Sequence, residues 1–187
     1  GMAVMTMRSS IYVQPGETLS CVGCHEPRES GPAPRADGED LAFRKPAPPA
    51  GPEYDGPLSF SRTVQPVLDR HCIRCHGLGE KKDGVCLLGT PADGNRQGRP
   101  SVAYNTLIGR KGLVVVAHRN RESYYSKPRE YYAHAGKLAG MLLEGHQGVE
   151  LPPADFERII NWLDLNAQYY GTYLKARVED RKPDPDG

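Results

Sequence analysis

The stretch Ser59 to His76, SFSRTVQPVLDRHCIRCH, constrains this chain more than any other. It runs a helical hydrophobic pattern straight into Cys72-Ile73-Arg74-Cys75-His76. Phe60, Val64, Val67, Leu68 and the Cys72 region recur at the spacing of one helix face. Ser61 or Thr63 is placed to cap that helix, and Pro66 falls in the first turn, where a missing N–H does no harm. Two thiols at i and i+3 share one side of a helical turn, and an imidazole follows them. That order is the attachment signature of a c-type haem. Each thiol bonds one vinyl group of a single porphyrin, and the next residue, His76, is held beneath the ring as proximal axial ligand.

The signature occurs twice. Cys21-Val22-Gly23-Cys24-His25 is a second C-x-x-C-H, preceded only by Thr18-Leu19-Ser20 rather than by an amphipathic helix. Zinc is a rival, because four thiolates in two C-x-x-C pairs make a Cys₄ site. The pairs lie too far apart for the usual ribbon spacing, however, and a Cys₄ site gives no reason for a His after each of them. A thioredoxin-like dithiol would need a βαβ pattern near the motif, and none is present. Two covalently attached c-type haems are therefore expected, one on Cys21, Cys24 and His25 and one on Cys72, Cys75 and His76. Cys86, the odd thiol among five, reads as a small buried hydrophobe.

Each iron needs a sixth ligand from the remaining His and Met residues, or keeps an open position. Lys137 to Leu143 reads as a helix with Leu138, Met141 and Leu142 on one face, ended by Gly145 with His146 directly after it. Pro152-Pro153 then opens the clearest helix of the chain, with Asp155 and Glu157 in its first turn and Phe156, Ile159, Ile160 and Leu163 as its apolar stripe. His146 thus sits on a loop that can fold over the open face of the second haem, and it is the expected distal ligand there. Met141 is the alternative, although its helix face favours packing. For the first haem the candidates are His118, His134 and His71. Trp162 reads either as core filler or as a residue at a haem edge.

Composition fits a fold that a cofactor helps to fill: 38% apolar residues, 21 Gly and 17 Pro in 187 residues, with ten Tyr against three Phe. A net charge of +1 gives no reason for a nucleic-acid or anionic-membrane partner. No apolar run approaches the ~20 residues of a membrane span. GMAVMTMRSS lacks a signal peptide's apolar core. Because covalent haem attachment implies maturation outside the cytoplasm, the chain reads as a mature form or, preferably, a fragment of a longer exported protein, periplasmic or otherwise extracytoplasmic.

The expected fold is mainly α: a cytochrome c-like helical domain with long ordered loops and a short β-strand-like N-terminal segment over residues 2–13. Residues 1–57 carry the first motif and a Pro-rich connector, 58–174 form the domain around the second motif, and 175–187 form a disordered tail. Within the domain, Val85–Leu88 reads as strand-like and Ser101 caps a short helix through Leu107-Ile108, stopped by Gly109. Leu113–Ala117 reads as a short strand or a buried loop.

Three stretches carry a family resemblance: YVQPGETLSCVGCHEPRE, FSRTVQPVLDRHCIRCHG, and GKLAGMLLEGHQGVELPPADFERIINWLDLNAQYYGTY. Together they resemble the multihaem c-type cytochrome module of planctomycetes and related bacteria, a relative of which forms the C-terminal part of the hydrazine synthase alpha subunit. The resemblance covers roughly residues 7–173. It implies haem at both motifs, His146 as a distal ligand, and an upstream domain of the same parent chain or a redox partner protein. An electron-transfer domain is the expected role rather than a complete enzyme. The alternative is a fragment of a hydrazine synthase-like enzyme whose first haem is five-coordinate and catalytic.

Overall fold

A computed structural model describes residues 1–6, 16, 58–77, 84–92, 100–117 and 128–171. The chain divides into one unit made of Gly1–Thr6 with Gly51–Gly187 and a second made of Met7–Ala50. Of the described residues, all but Gly16 belong to the first unit. Cys21, Cys24, His25, His118, the connector and the C-terminal tail all lie outside the described residues.

The helical stretch that leads to Cys72 forms as three short segments: α1 (Phe60–Thr63), α2 (Gln65–His71) and α3 (Ile73–His76). Ser59, rather than Ser61 or Thr63, is the cap. Its backbone is extended, and its hydroxyl accepts the Arg62 N–H at 3.4 Å. Pro66 lies in the first turn of α2, where its lack of an N–H leaves no helical bond unmade. The expected face is the buried one: Phe60, Val64, Val67 and Leu68 are all at most 3% exposed.

Ser101 caps α4 (Val102–Gly109), its hydroxyl accepting the Tyr104 N–H at 3.3 Å. A one-turn helix, α5 (Tyr132–Ala135), leads through Gly136 into α6 (Lys137–Leu143). The longest helix, α7 (Pro153–Asp164), buries Ile159, Ile160, Trp162 and Leu163 on one stripe. Asn166 and Ala167 then take left-handed backbone (φ 67 and 47), which turns the chain back. The Tyr169 carbonyl accepts the Phe60 N–H at 2.9 Å, closing the C-terminal return onto the start of α1. Phe60 and Trp162 meet with ring centroids 5.2 Å apart, so the first and last helices share one core. Leu87, Ala103, Leu107, Leu138 and Ala139 complete it. Burying each large side chain of this cluster contributes roughly 1.5–3 kcal/mol before the entropy of ordering it is subtracted.

The mainly α expectation holds, but the strand-like segments do not form strands. Among the described residues there are only two isolated bridges, Pro91 with Ser101 and His146 with Val149. Residues 1–6 find no strand partner. They are fixed instead by Asp164: its Oδ2 accepts the Ala3 N–H at 2.7 Å, and its carbonyl accepts the Thr6 hydroxyl at 3.2 Å. These six residues therefore side with the C-terminal unit. Residues 7–13, the rest of that expected segment, lie outside the described residues.

Val85–Leu88 is extended but meets single partners, with the Leu87 N–H on the His76 carbonyl and the Ala103 N–H on the Leu88 carbonyl. Leu113–Ala117 is the buried loop. The Asn166 side chain clasps both backbone groups of Ala117, and the Leu113 and Val115 carbonyls accept N–H groups from α6 and α5. A β-branched run signals extended, half-buried backbone; a ladder needs a second run in register. No helix among the described residues is long and apolar enough to cross a membrane.

Candidate functional site

Cys72 ends α2 and starts α3, and its carbonyl accepts both the Cys75 and His76 N–H groups, at 3.1 and 2.9 Å. One tight turn therefore carries both thiols and the imidazole. The His76 carbonyl in turn accepts the Leu87 N–H at 2.8 Å, which anchors the end of the motif to the extended segment beside it. Gly77 follows where no side chain fits: a Cβ there would lie 2.7 Å from the Ile73 carbonyl oxygen.

Cys72 is half-buried and Cys75 exposed, and neither is in a disulfide. Burial, then the Asp69 carboxylate, then Cys75 push the Cys72 thiol up to about 11. Redox-active pairs do the reverse, holding one thiol well below its ordinary value. At Cys72 burial favours the neutral thiol.

His146 reaches the same place from the other side of the sequence. After α6, the chain turns through Gly145, Gln147 and Gly148, all in left-handed backbone (φ 86, 51 and 75). The Val149 N–H closes the turn on the His146 carbonyl at 2.9 Å. Two glycines supply this backbone without strain, and the turn fixes where His146 stands. Its ring lies 6.0 Å from that of His76, centroid to centroid, with the planes only 17° apart.

The two imidazoles stand nearly parallel at a distance that would let both hold one bound group. The Nδ1 of His76 is buried with no hydrogen-bond partner. The donor set fits the same group. Among the described residues no three His, Cys, Asp or Glu side chains converge as a metal cluster. Two facing imidazoles with two thiols on one turn are what a covalently tethered haem needs.

The other candidates stand elsewhere. His71 is held by Asp155, its Nε2 2.9 Å from Oδ2. His134 is exposed on α5. Met141 is half-buried against the hydrophobic core. Trp162 is core: its indole N–H donates to the Gln168 carbonyl at 2.9 Å, and its ring packs against Phe60 and Tyr104.

Asp155 does more than complement the helix dipole. The residue is 9% exposed, and its carboxylate accepts from Arg70 Nη2 at 2.8 Å as well as from His71. Burial alone would raise its pKa, but the hydrogen bonds and charges of His71 and Arg70 outweigh that and lower it. The signal was in the sequence, a basic Arg70-His71 pair closing one helix and an acid opening another; nothing local says that the two ends meet.

In comparison with known proteins, a family model described as the hydrazine synthase alpha subunit middle domain matches residues 1–26. That segment holds the first C-x-x-C-H motif. No curated protein and no solved structure matches the chain.

Proposed function

We propose that this chain is a dihaem c-type cytochrome module that passes electrons within, or to, a larger exported redox protein. The observation that carries the reading is the pairing of His76 with His146 beside Cys72 and Cys75. In this account Cys72 and Cys75 tether the second haem. Each thiol would supply one thioether bond, formed by addition of its S–H to a vinyl C=C with no leaving group. His76 and His146 would hold the iron between them. Bound there, the haem supplies a one-electron couple. With His76 and His146 both on the iron, the group would exchange electrons rather than bind substrate. The chain's own contribution is rigidity: a motif anchored to Leu87, a glycine turn that fixes His146, and a shared core that holds the two together.

Cys21, Cys24 and His25 carry the first haem. Maturation of either haem takes place outside the cytoplasm, and the redox partner is another domain of the parent chain or a separate protein. The test is to produce the chain with haem-maturation machinery and measure its mass and absorbance. Two added haems and a Soret band are expected, and Cys72→Ala with Cys75→Ala should remove one of them. Stoichiometric zinc and no Soret band would end the reading.

One observation favours a second possibility, that the first haem is five-coordinate and catalytic: the hydrazine synthase match spans its motif. Carbon monoxide separates the two. A reduced protein in which neither iron binds it is an electron carrier, and uptake by the haem on Cys21 and Cys24 points to chemistry there.

A further inference from the structure

Two helix ends of opposite polarity meet beside the motif. Arg70 and His71 close α2, where the dipole favours cations, and Asp155 lies in the first turn of α7, where it favours an anion. Asp155 binds both, Oδ1 to Arg70 at 2.8 Å and Oδ2 to His71 at 2.9 Å, and Arg158 Nε stands 3.9 Å from Oδ1. The next residue after His71 is Cys72. On the α7 side, the chain runs from the His146–Val149 turn through half-buried Leu151 and the stiff Pro152-Pro153 pair directly into the turn that carries Asp155. The Asp155 and Phe156 N–H groups both close on the Pro152 carbonyl at 3.0 Å. The carboxylate therefore ties the segment bearing one imidazole to the segment bearing the other.

We propose that Asp155 is a positioning residue, setting the register of His146 against His76 through its grip on Arg70 and His71. The inference rests on the reading that these two imidazoles hold the haem iron. Asp155 touches neither ring; it acts by keeping the α2–α3 junction from sliding against the start of α7. Asn at this position keeps the shape but loses the charge that holds a guanidinium and an imidazole together. Loosening the register lets His146 leave the iron more often, which opens a coordination position.

The test compares haem-loaded full-length variants by ferric spin state and by carbon monoxide uptake after reduction, each relative to the parent. Asp155→Asn should raise carbon monoxide uptake roughly tenfold, the scale seen when outer partners of a metal site are removed. Asp155→Glu should restore much of the parent behaviour. Arg70→Gln, at a side chain 53% exposed, should move uptake in the same direction by less, and it serves if Asp155→Asn does not fold. Ile160→Val, a small core cut in the same helix, should leave uptake unchanged. If His146→Ala becomes high-spin while Asp155→Asn and Arg70→Gln both match the parent, positioning by Asp155 is refuted and the ligand assignment stands. If Ile160→Val raises uptake as much as Asp155→Asn, the effect is general loosening and the proposal is equally refuted. An unchanged His146→Ala spectrum instead removes the underlying ligand reading.

Discussion

Truncating Phe60 should cost this fold a large part of its stability. The ring is 0% exposed and sits among Trp162, Tyr104 and Tyr169, at centroid distances of 5.2, 5.3 and 5.9 Å. Phe→Ala in a core costs about 3–5 kcal/mol through lost transfer energy and the cavity left behind. Aromatic pairs add roughly 0.5–1.5 kcal/mol beyond burial, and three of them meet here, so the upper half of that range is expected. Total stabilities of single domains run about 5–15 kcal/mol, so Phe60→Ala leaves a marginal protein. The assay is urea unfolding of the haem-loaded chain followed by far-ultraviolet circular dichroism. With a urea slope of about 2 kcal/mol per molar, a 4 kcal/mol loss lowers the midpoint by about 2 M at an unchanged slope. A loss below about 1 kcal/mol, the range of ordinary surface substitutions and less, would refute the claim that α1 is anchored to α7 through this ring.

Asp155 makes stability depend on acid. Its folded pKa is lowered from the ordinary 3.8, so the stabilisation is present above that value and disappears as pH falls through the folded one. Asp155→Asn should therefore lower the urea midpoint near pH 6 and converge with the parent at the acid end; parallel profiles would refute this. Gly136→Ala puts a Cβ 2.8 Å from the Leu113 carbonyl oxygen, at the junction of α5 and α6, and should cost about 1–3 kcal/mol in the same assay. In chain made without haem, iodoacetamide at neutral pH should label exposed Cys75 well before Cys72, whose thiol is pushed up to about 11, as peptide mass mapping will show. With haem attached, neither thiol should react.

The helices were legible where local chemistry decides them. Lys137–Leu143 is bounded by glycines, Pro152-Pro153 can only open a helix, and the Phe60–Leu68 and Ile159–Leu163 stripes are the ones buried. Strands were less legible, because Val85–Leu88 and Leu113–Ala117 have the residues of strands but, among the described residues, no partner run in register. The cap moved from Ser61 or Thr63 to Ser59 because the apolar face begins at Phe60 itself. At the site, a C-x-x-C-H run and a His after a helix-ending glycine can be read directly from residues. The 6.0 Å approach of His76 and His146 and the Asp155 tie cannot, since both depend on which helix ends meet in space.

The central claim is that His76 and His146 hold one haem iron between them, and the ferric spectrum of the haem-loaded chain tests it most directly. Against the parent, His146→Ala should convert one haem from low-spin to high-spin, with the loss of one bis-imidazole signal in electron paramagnetic resonance and a haem content still equal to the parent's. A variant with the parent's haem content and an unchanged low-spin spectrum would contradict the account.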